Sequence, residues 1–568
     1  MGRVLGRFSV LLFCAGLFLH SAVCAQQAED QIFFNGKIFT ADPQNPYAEA
    51  VAIRGATIIA VGSLPEVLKV ASPHAARTDL AGKSLFPGFI DSHSHTIDGG
   101  LGLIAADATE KLNSISELPA FADDARKTGR GMRGDILEIL GLPLEFWSHN
   151  DVLSATFNTG TYEKQSVVLR GMDGHTTWAN RAMLRRAGIT QDFLKKLTPD
   201  ERSYYGVDKD MQPTGFLVDA GSERVDDLMP QPSPEELLAA GRAALQYNYS
   251  LGITAWLEPS APESALHAYK LLAEHGELIS EIVAFPKVLA KDPPAELAFV
   301  KKTRETYKNI PNLHITGIKI FADGVAEFPS QTAYLTKPYK NSGRNGELLF
   351  DPKTFAELCI AADKQGLIIH VHAIGDGAVK AALDGIAAAR TANGDSHLPH
   401  TLTHEQFIRP EDFPRFRELG VISAFQLFWA AAGNDTIDIL KPYVDPEIYK
   451  WQYPARSILD NGGVISGASD WPVSTANVFR AIYQAETRRG NEGILDAAQA
   501  TPREAMFYAY TRNSARALNL NSIGVIAPGK RADLALLDRD VLTVSPEEMR
   551  DTKVVWTMVA GKTVYQAK

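Results

Sequence analysis

Leu85-Phe86-Pro87-Gly88-Phe89-Ile90-Asp91-Ser92-His93-Ser94-His95 is an apolar run with strand character that closes on two histidines. Side chains at i and i+2 of a strand share a face, so both imidazoles can reach one metal ion. Alone, a His-x-His pair is weak evidence, because paired histidines also occur on solvated strands. Further along, Lys319, His372, His404 and Asp470 each sit near the C-terminal end of a short apolar run. Such a series is what a metal site built at the C-terminal face of a β/α barrel would require.

Outward from that stretch, residues 86–515 alternate strand-like and helical segments. Eight runs qualify as strands: Gly88 to His95, Ile253 to Glu258, Ile282 to Phe285, Ile315 to Phe321, Ile368 to His372, Thr401 to His404, Val421 to Phe425 and Val464 to Asp470. Eight strand–helix repeats predict an α/β protein, specifically a (β/α)₈ TIM barrel. Residues 101–250, between the first two strands, exceed one connection and are expected to form a cap over the catalytic face. Short strands at both ends, 26–85 and 516–568, suggest a small β-sandwich domain assembled from both termini. Asn35-Gly36 carries the sequence signal of a hairpin turn.

The 568 residues, 45% hydrophobic and 22% charged, suit a globular enzyme of more than one structural unit. A formal charge of −10 with no basic stripe argues against a nucleic-acid partner. Residues 1–25 read as a secretory signal peptide: Arg3 and Arg7, an apolar core from Val10 to Phe18, and Val23-Cys24-Ala25 as a cleavage site. That core is too short to span a bilayer, so no stable membrane span is expected after cleavage, and the mature chain is placed in the periplasm or secreted. A buried helix and a lipoprotein signal centred on Cys24 are the alternatives. Cleavage after Ala25 leaves Cys359 as the single cysteine and no internal disulfide; its apolar helical setting reads as a small buried hydrophobe.

The residues themselves leave alternatives open. His370 and His372 share a strand face, and the one nearer the strand end, His372, is favoured as ligand, with His370 a satisfied structural histidine. A hydrogen-bonded core histidine is the bland reading of His372. Asp470 could cap the helix that follows, since Pro472 stands nearby. Lys319, in a buried strand, is costly unless it is chemically altered, for example carbamylated, or paired with Asp323 or another carboxylate.

Six ordered motifs resemble the amidohydrolase superfamily, and within it the YtcJ-like branch of amidohydrolase family 3. They are Phe86 to His95, Asp173-Gly174-His175-Thr176-Thr177-Trp178-Ala179-Asn180, Lys319 to Gly324, His372-Ala373-Ile374-Gly375-Asp376, Ser469-Asp470-Trp471-Pro472-Val473, and Gly529 to Leu534. The resemblance implies that His93, His95, His372, His404 and Asp470 surround one or two divalent metals, usually zinc. Carbamylated Lys319 would be the bridge in a two-metal version. Asp470 would orient a metal-activated water, take its proton and pass it to the leaving amine. His175 is the candidate for contacting the substrate or its oxyanion, with Asp173 holding its ring; the alternative is a packed helix start with His175 merely buried.

The resulting expectation is an exported metal-dependent hydrolase that cleaves an amide or N-acyl carbon–nitrogen bond of a small molecule. Alternatives are an esterase or cyclic amidase with the same metals, or a noncatalytic binding or regulatory protein on the same fold. Homo-oligomerisation is left open. Trp147, Trp178, Trp429 and Trp471 hint at an aromatic pocket, although large aromatics are more often core.

Overall fold

Ile253–Pro259 and Ile368–Ala373 are buried along their whole length, the condition under which strands pair in parallel between layers of helices. The computed structural model describes Gly2 and residues 30–109, 111–112 and 114–568. Apart from Gly2, the proposed signal peptide, with Cys14 and Cys24, lies outside the described residues.

All eight strands read from the sequence are present: β1 Phe89–Asp91, β2 Ile253–Pro259, β3 Glu281–Phe285, β4 Gly317–Phe321, β5 Ile368–Ala373, β6 Thr401–His404, β7 Ile422–Phe425 and β8 Val464–Gly467. They lie in two parallel sheets. One has the order Leu313–His314, β3, β2, β1; the other runs β4 to β8 in sequence order. The expected strand Ile315 to Phe321 is interrupted, Leu313–His314 pairing with β3 while β4 pairs with β5. At this crossing the backbones are tight: a Cβ on Gly317 would lie 2.5 Å from the Ile368 carbonyl oxygen and 2.6 Å from the Phe285 ring. Hydrogen bonds also pass between the sheets. Lys319 N donates to Pro286 O (3.0 Å) and Val288 N to Lys319 O (2.9 Å), while Ser92 N donates to Gly467 O (2.9 Å).

Helices follow the strands and cover them. Pro352–Lys364 starts where the Asp351 side chain accepts from Thr354 N, with proline at its first turn. It packs against Asp376–Asn393 so closely that a Cβ on Gly385 would meet the Phe355 ring at 2.3 Å. Cys359 is buried in this contact, as its apolar position predicts.

Strands from both chain ends join in one sheet of eight, ordered Lys562–Gln566, Val554–Val559, Leu534–Leu537, Ser84–Pro87, Asp30–Phe39, Tyr47–Arg54, Thr57–Gly62, with Ala76–Asp79 also on Asp30–Phe39. Hydrogen bonding is continuous through it, so the expected sandwich is one sheet rather than two separate ones. Asn35-Gly36 makes no hairpin. The strand Asp30–Phe39 runs straight through it with a bulge between Phe34 and Ile38, and Asn35 Nδ2 donates to Asp79 Oδ1 (2.8 Å). Glycine is required there for space: a Cβ on Gly36 would lie 2.7 Å from Lys83 O. Close approach of a parallel neighbour gives the same dipeptide as a turn would.

A fourth sheet lies within the long segment between β1 and β2. Its order is Tyr205–Val207, Pro213–Val218, Thr176–Ala179, Ser166–Gly171, Ile136–Leu142, Met132–Arg133. It has its own apolar core, including Leu137, Val167, Leu169 and Trp178. The helix Pro234–Ser250 that ends this segment instead buries Leu237, Ala244 and Tyr249 against the core of the parallel sheets. Among the described residues, no helix is long and apolar enough to cross a membrane.

Candidate metal centre

Lys319, His372 and His404 stand on β4, β5 and β6 near their C-terminal ends, whereas the first and last strands deliver theirs just past the end. β1 stops at Asp91 and β8 at Gly467, so His93, His95 and Asp470 stand in the turns beyond, not on the strands as the sequence suggested. The two rings of the His-x-His pair are nearly perpendicular, 80° apart with centroids at 5.4 Å. A turn, rather than strand alternation, brings them together. His404 and Asp470 adopt left-handed backbone conformations (φ 78° and 56°), a strained state that persists where the surroundings dictate it. Backbone bonds tie the first and last of these turns together: Asp470 N donates to His93 O (2.8 Å) and His95 N to Trp471 O (2.8 Å). The Asp91 carboxylate also accepts from His93 N (3.2 Å) and Ser469 N (3.0 Å). Asp470 does not cap the next helix; Asn477 does, accepting from Phe479 N and Arg480 N.

His93, His404 and Asp470 each bring one potential ligand atom within 4.8 Å of the others. His93 Nε2 lies 3.1 Å, and His95 Nε2 3.4 Å, from Asp470 Oδ1. The His372 ring sits 4.5 Å from that of His404, but its Nε2 donates to Gly324 O (3.0 Å), leaving Nδ1 as its free ligand atom. Lys319 is fully buried in β4, and its charge acts on His93, His372 and His404. It does not pair with Asp323, whose carboxylate accepts from the backbone amides of Tyr334, Ile374 and Gly375 at 2.8–2.9 Å.

Outer hydrogen bonds fix the tautomers. His93 Nδ1 lies 2.7 Å from His370 Nε2, and His370 Nδ1 bonds the Thr401 hydroxyl; a cation held by His93 Nε2 would put the His93 proton on Nδ1, donated to His370. His370 is thus bonded at both ring nitrogens, as a satisfied structural histidine is. His404 Nδ1 donates to Gln426 Oε1 (3.0 Å), and Gln426 Nε2 to Thr403 Oγ1 (3.1 Å). The Trp429 ring stacks on His404 at 5.6 Å and 13°. Of the four tryptophans noted, Trp429 meets the site directly, while Trp178 is core and hydrogen-bonded to Asn150.

Burial and the neighbouring Lys319 push the His93 and His372 imidazoles down to about 3, so both are neutral, the form in which imidazole binds a metal. Burial pushes the Lys319 amine down to about 7, with Asp470 opposing the shift. Burial works against the charge on Asp470, but the facing imidazoles outweigh it and hold the carboxyl well below the usual range. His93 Nε2, Lys319 Nζ and Asp470 Oδ1 are buried without hydrogen-bond partners. Unpaired buried polar atoms are costly, and the His93 Nε2 and Asp470 Oδ1 pair, 3.1 Å apart, fits a bound cation.

His175 belongs to the fourth sheet, in the turn between Ser166–Gly171 and Thr176–Ala179. Its ring is held by Asp219, with Nδ1 2.7 Å from Oδ1, and not by Asp173. Asp173 instead accepts from His175 N, Thr176 N and Thr176 Oγ1 and so holds the turn. Asp219, distant in sequence and outside every motif, is the functional candidate that sequence reasoning missed. The motif does lead into a packed helix start, since Asn180 caps Arg181–Arg186 beside the buried Trp178, but Thr176 to Ala179 form a strand and the His175 side chain stays a third exposed.

The sequence model of the amidohydrolase family matches residues 77–565. An N-substituted formamide deformylase of Arthrobacter pascens is 24% identical, the match covering 95% of this chain and 99% of the relative. The protein YtcJ of Bacillus subtilis (strain 168) is 25% identical over 94% of this chain and 99% of its own. Among solved structures, an uncharacterized metal-dependent hydrolase from Pyrococcus horikoshii OT3 superposes with a TM-score of 0.71 at 24% identity, covering 91% of this chain and 99% of that one.

Proposed function

We propose, from the premise that the chain belongs to the amidohydrolase family, that it is an exported metal-dependent hydrolase of a small-molecule amide or N-acyl carbon–nitrogen bond. The observation that carries this reading is the convergence of His93, His404 and Asp470, with His93 Nε2 and Asp470 Oδ1 buried and unpartnered, beside a buried Lys319 whose amine also lacks a partner. We read the two parallel sheets as arcs of one (β/α)₈ barrel, with the sheet of residues 132–218 as its cap and the sheet from both chain ends as a separate small domain.

His93, His95, His372, His404 and Asp470 would hold one or two divalent ions, zinc being suited to this imidazole and carboxylate set, with Lys319 a bridge once carbamylated. Such an ion supplies Lewis acidity, which makes water nucleophilic near neutral pH and polarises a carbonyl. Asp470, ionised and in contact with His93 and His95, accepts the proton of the attacking water and returns it to the leaving nitrogen. His175 meets the carbonyl oxygen from the cap side. The amine leaves with the proton from Asp470, and the new carboxylic acid gives its own proton to the freed amine, so the products are a carboxylate and an ammonium.

The deformylase relative makes N-substituted formamides the first substrates to offer. Turnover of formamides but not of matched formate esters supports the carbon–nitrogen assignment; the reverse preference replaces it with an esterase. No turnover of a broad amide panel by metal-replete protein overturns the enzymatic reading. Export is tested by the N-terminal mass of the mature chain and by cell fractionation.

A further inference from the structure

We propose that Asp219 is the positioning residue of a His175–Asp219 dyad carried by the fourth sheet, its carboxylate fixing the ring so that Nε2–H meets the substrate carbonyl oxygen. The inference rests on the hydrolase reading above and adds to it a residue that no motif contains.

The geometry is specific. Thr176 pairs with Val218 across antiparallel strands, so the residues just before one strand and just after the other arrive side by side. His175 and Asp219 are those residues. Two bonds join them: Asp219 N donates to His175 O (3.0 Å), and His175 Nδ1 donates to Asp219 Oδ1 (2.7 Å). Asp219 adopts φ 45°, a left-handed conformation unusual for a non-glycine residue, and its carbonyl is tied down by Ser222 N and Oγ (both 3.0 Å). Asp173 fixes the turn through three separate bonds, so backbone and ring of His175 are restrained by different carboxylates. Both partners stay reachable, with about a third of each side chain exposed (33% and 29%).

With Nδ1 engaged, Nε2 is the nitrogen left for substrate. The charged groups that face the ring are Asp219, Asp173 and Glu327; burial opposes protonation, and the three carboxylates outweigh it, so the imidazole is held above its ordinary value. The ring is also near enough to His372 for the two charges to interact, which puts it on the side of the candidate metal centre. A protonated or neutral His175 donates a hydrogen bond to the carbonyl oxygen as water adds, then releases it as the carbon–nitrogen bond breaks. The proton stays on the imidazole throughout, so the step is balanced.

The test uses full-length mature protein with Asp219→Asn, Asp219→Ala, His175→Ala and the double variant Asp219→Ala/His175→Ala. On an N-substituted formamide, His175→Ala should lower kcat about 10²-fold, the scale of one lost oxyanion donor. Asp219→Ala should lower it comparably with KM changed less than about threefold, and the double variant should be no worse than His175→Ala. Fully multiplicative losses, or unchanged kcat in both Asp219 variants, overturn the dyad. Independently of turnover, diethyl pyrocarbonate labelling of the His175 peptide at about pH 6, read by mass spectrometry, should be several-fold faster in Asp219→Asn, because more of the ring is neutral. Equal labelling rates overturn the dyad even if wild-type protein hydrolyses no formamide, an outcome that would count against the proposed function alone.

Discussion

His93 Nε2 and Asp470 Oδ1 lie 3.1 Å apart without hydrogen-bond geometry, although one follows the first parallel strand and the other the last. Folding has brought residues 377 positions apart into contact and then left both atoms without a protein partner. That cost is offset only if something else satisfies them.

Metal content tests this directly. Protein purified without chelator should carry about two metal ions per chain if Lys319 bridges them. Plasma mass spectrometry should then show a loss in both His93→Ala and Lys319→Ala. About one ion, lost with His93→Ala alone, means a mononuclear centre in which Lys319 has another role.

The outer hydrogen bonds should matter nearly as much as the ligands. Gln426→Leu removes the acceptor for His404 Nδ1, and should weaken metal affinity by about 10–100-fold, measured by competition with a chromogenic chelator. Unchanged affinity would mean that His404 is not oriented through Gln426.

At the opposite ends of the strands, Asp363 joins His400 Nε2 (2.9 Å), Arg390 Nη1 (3.1 Å) and Asn393 Nδ2 (2.8 Å) in a buried network. Removing it as Asp363→Ala strands these three partners and should cost about 3–5 kcal/mol, read by chemical denaturation. Burial opposes the charge, but the bonds from His400, Ser396 and Asn393 outweigh it and hold this carboxyl well below its ordinary value. A depressed carboxylate contributes stability that is complete above the unfolded pKa of about 4 and is lost as pH falls toward the folded value. The thermal midpoint of wild-type protein should therefore fall more steeply below about pH 4 than that of Asp363→Asn.

Cys359 is fully buried, and burial pushes its thiol up. Protein produced without residues 1–25, which retains Cys359 alone, should not react with Ellman's reagent while native, and one thiol should titrate after denaturation. Rapid native labelling would show that the packing of Pro352–Lys364 on Asp376–Asn393 opens locally.

Much of the parallel-strand framework was legible because continuous apolar runs have few alternatives to burial. β2, β5 and β6 stand within a residue of where their sequence ends them. The metal candidates were legible for a related reason: polar residues that close apolar runs need a purpose. Asn35-Gly36 misled because one dipeptide serves both a tight turn and a bulge under a close neighbour, and the neighbour, Lys83, is remote in sequence.

Sequence alone determined the strand–helix alternation and the residue types at the strand ends, since burial pattern and side-chain chemistry are local properties. Tertiary structure decided which of those residues meet. It joined His93 to Asp470, turned His372 Nε2 toward Gly324, and gave His175 to Asp219 rather than to Asp173. Such pairings depend on strand order, register and left-handed turns, which are set by contacts hundreds of residues apart and leave no periodic trace along the chain.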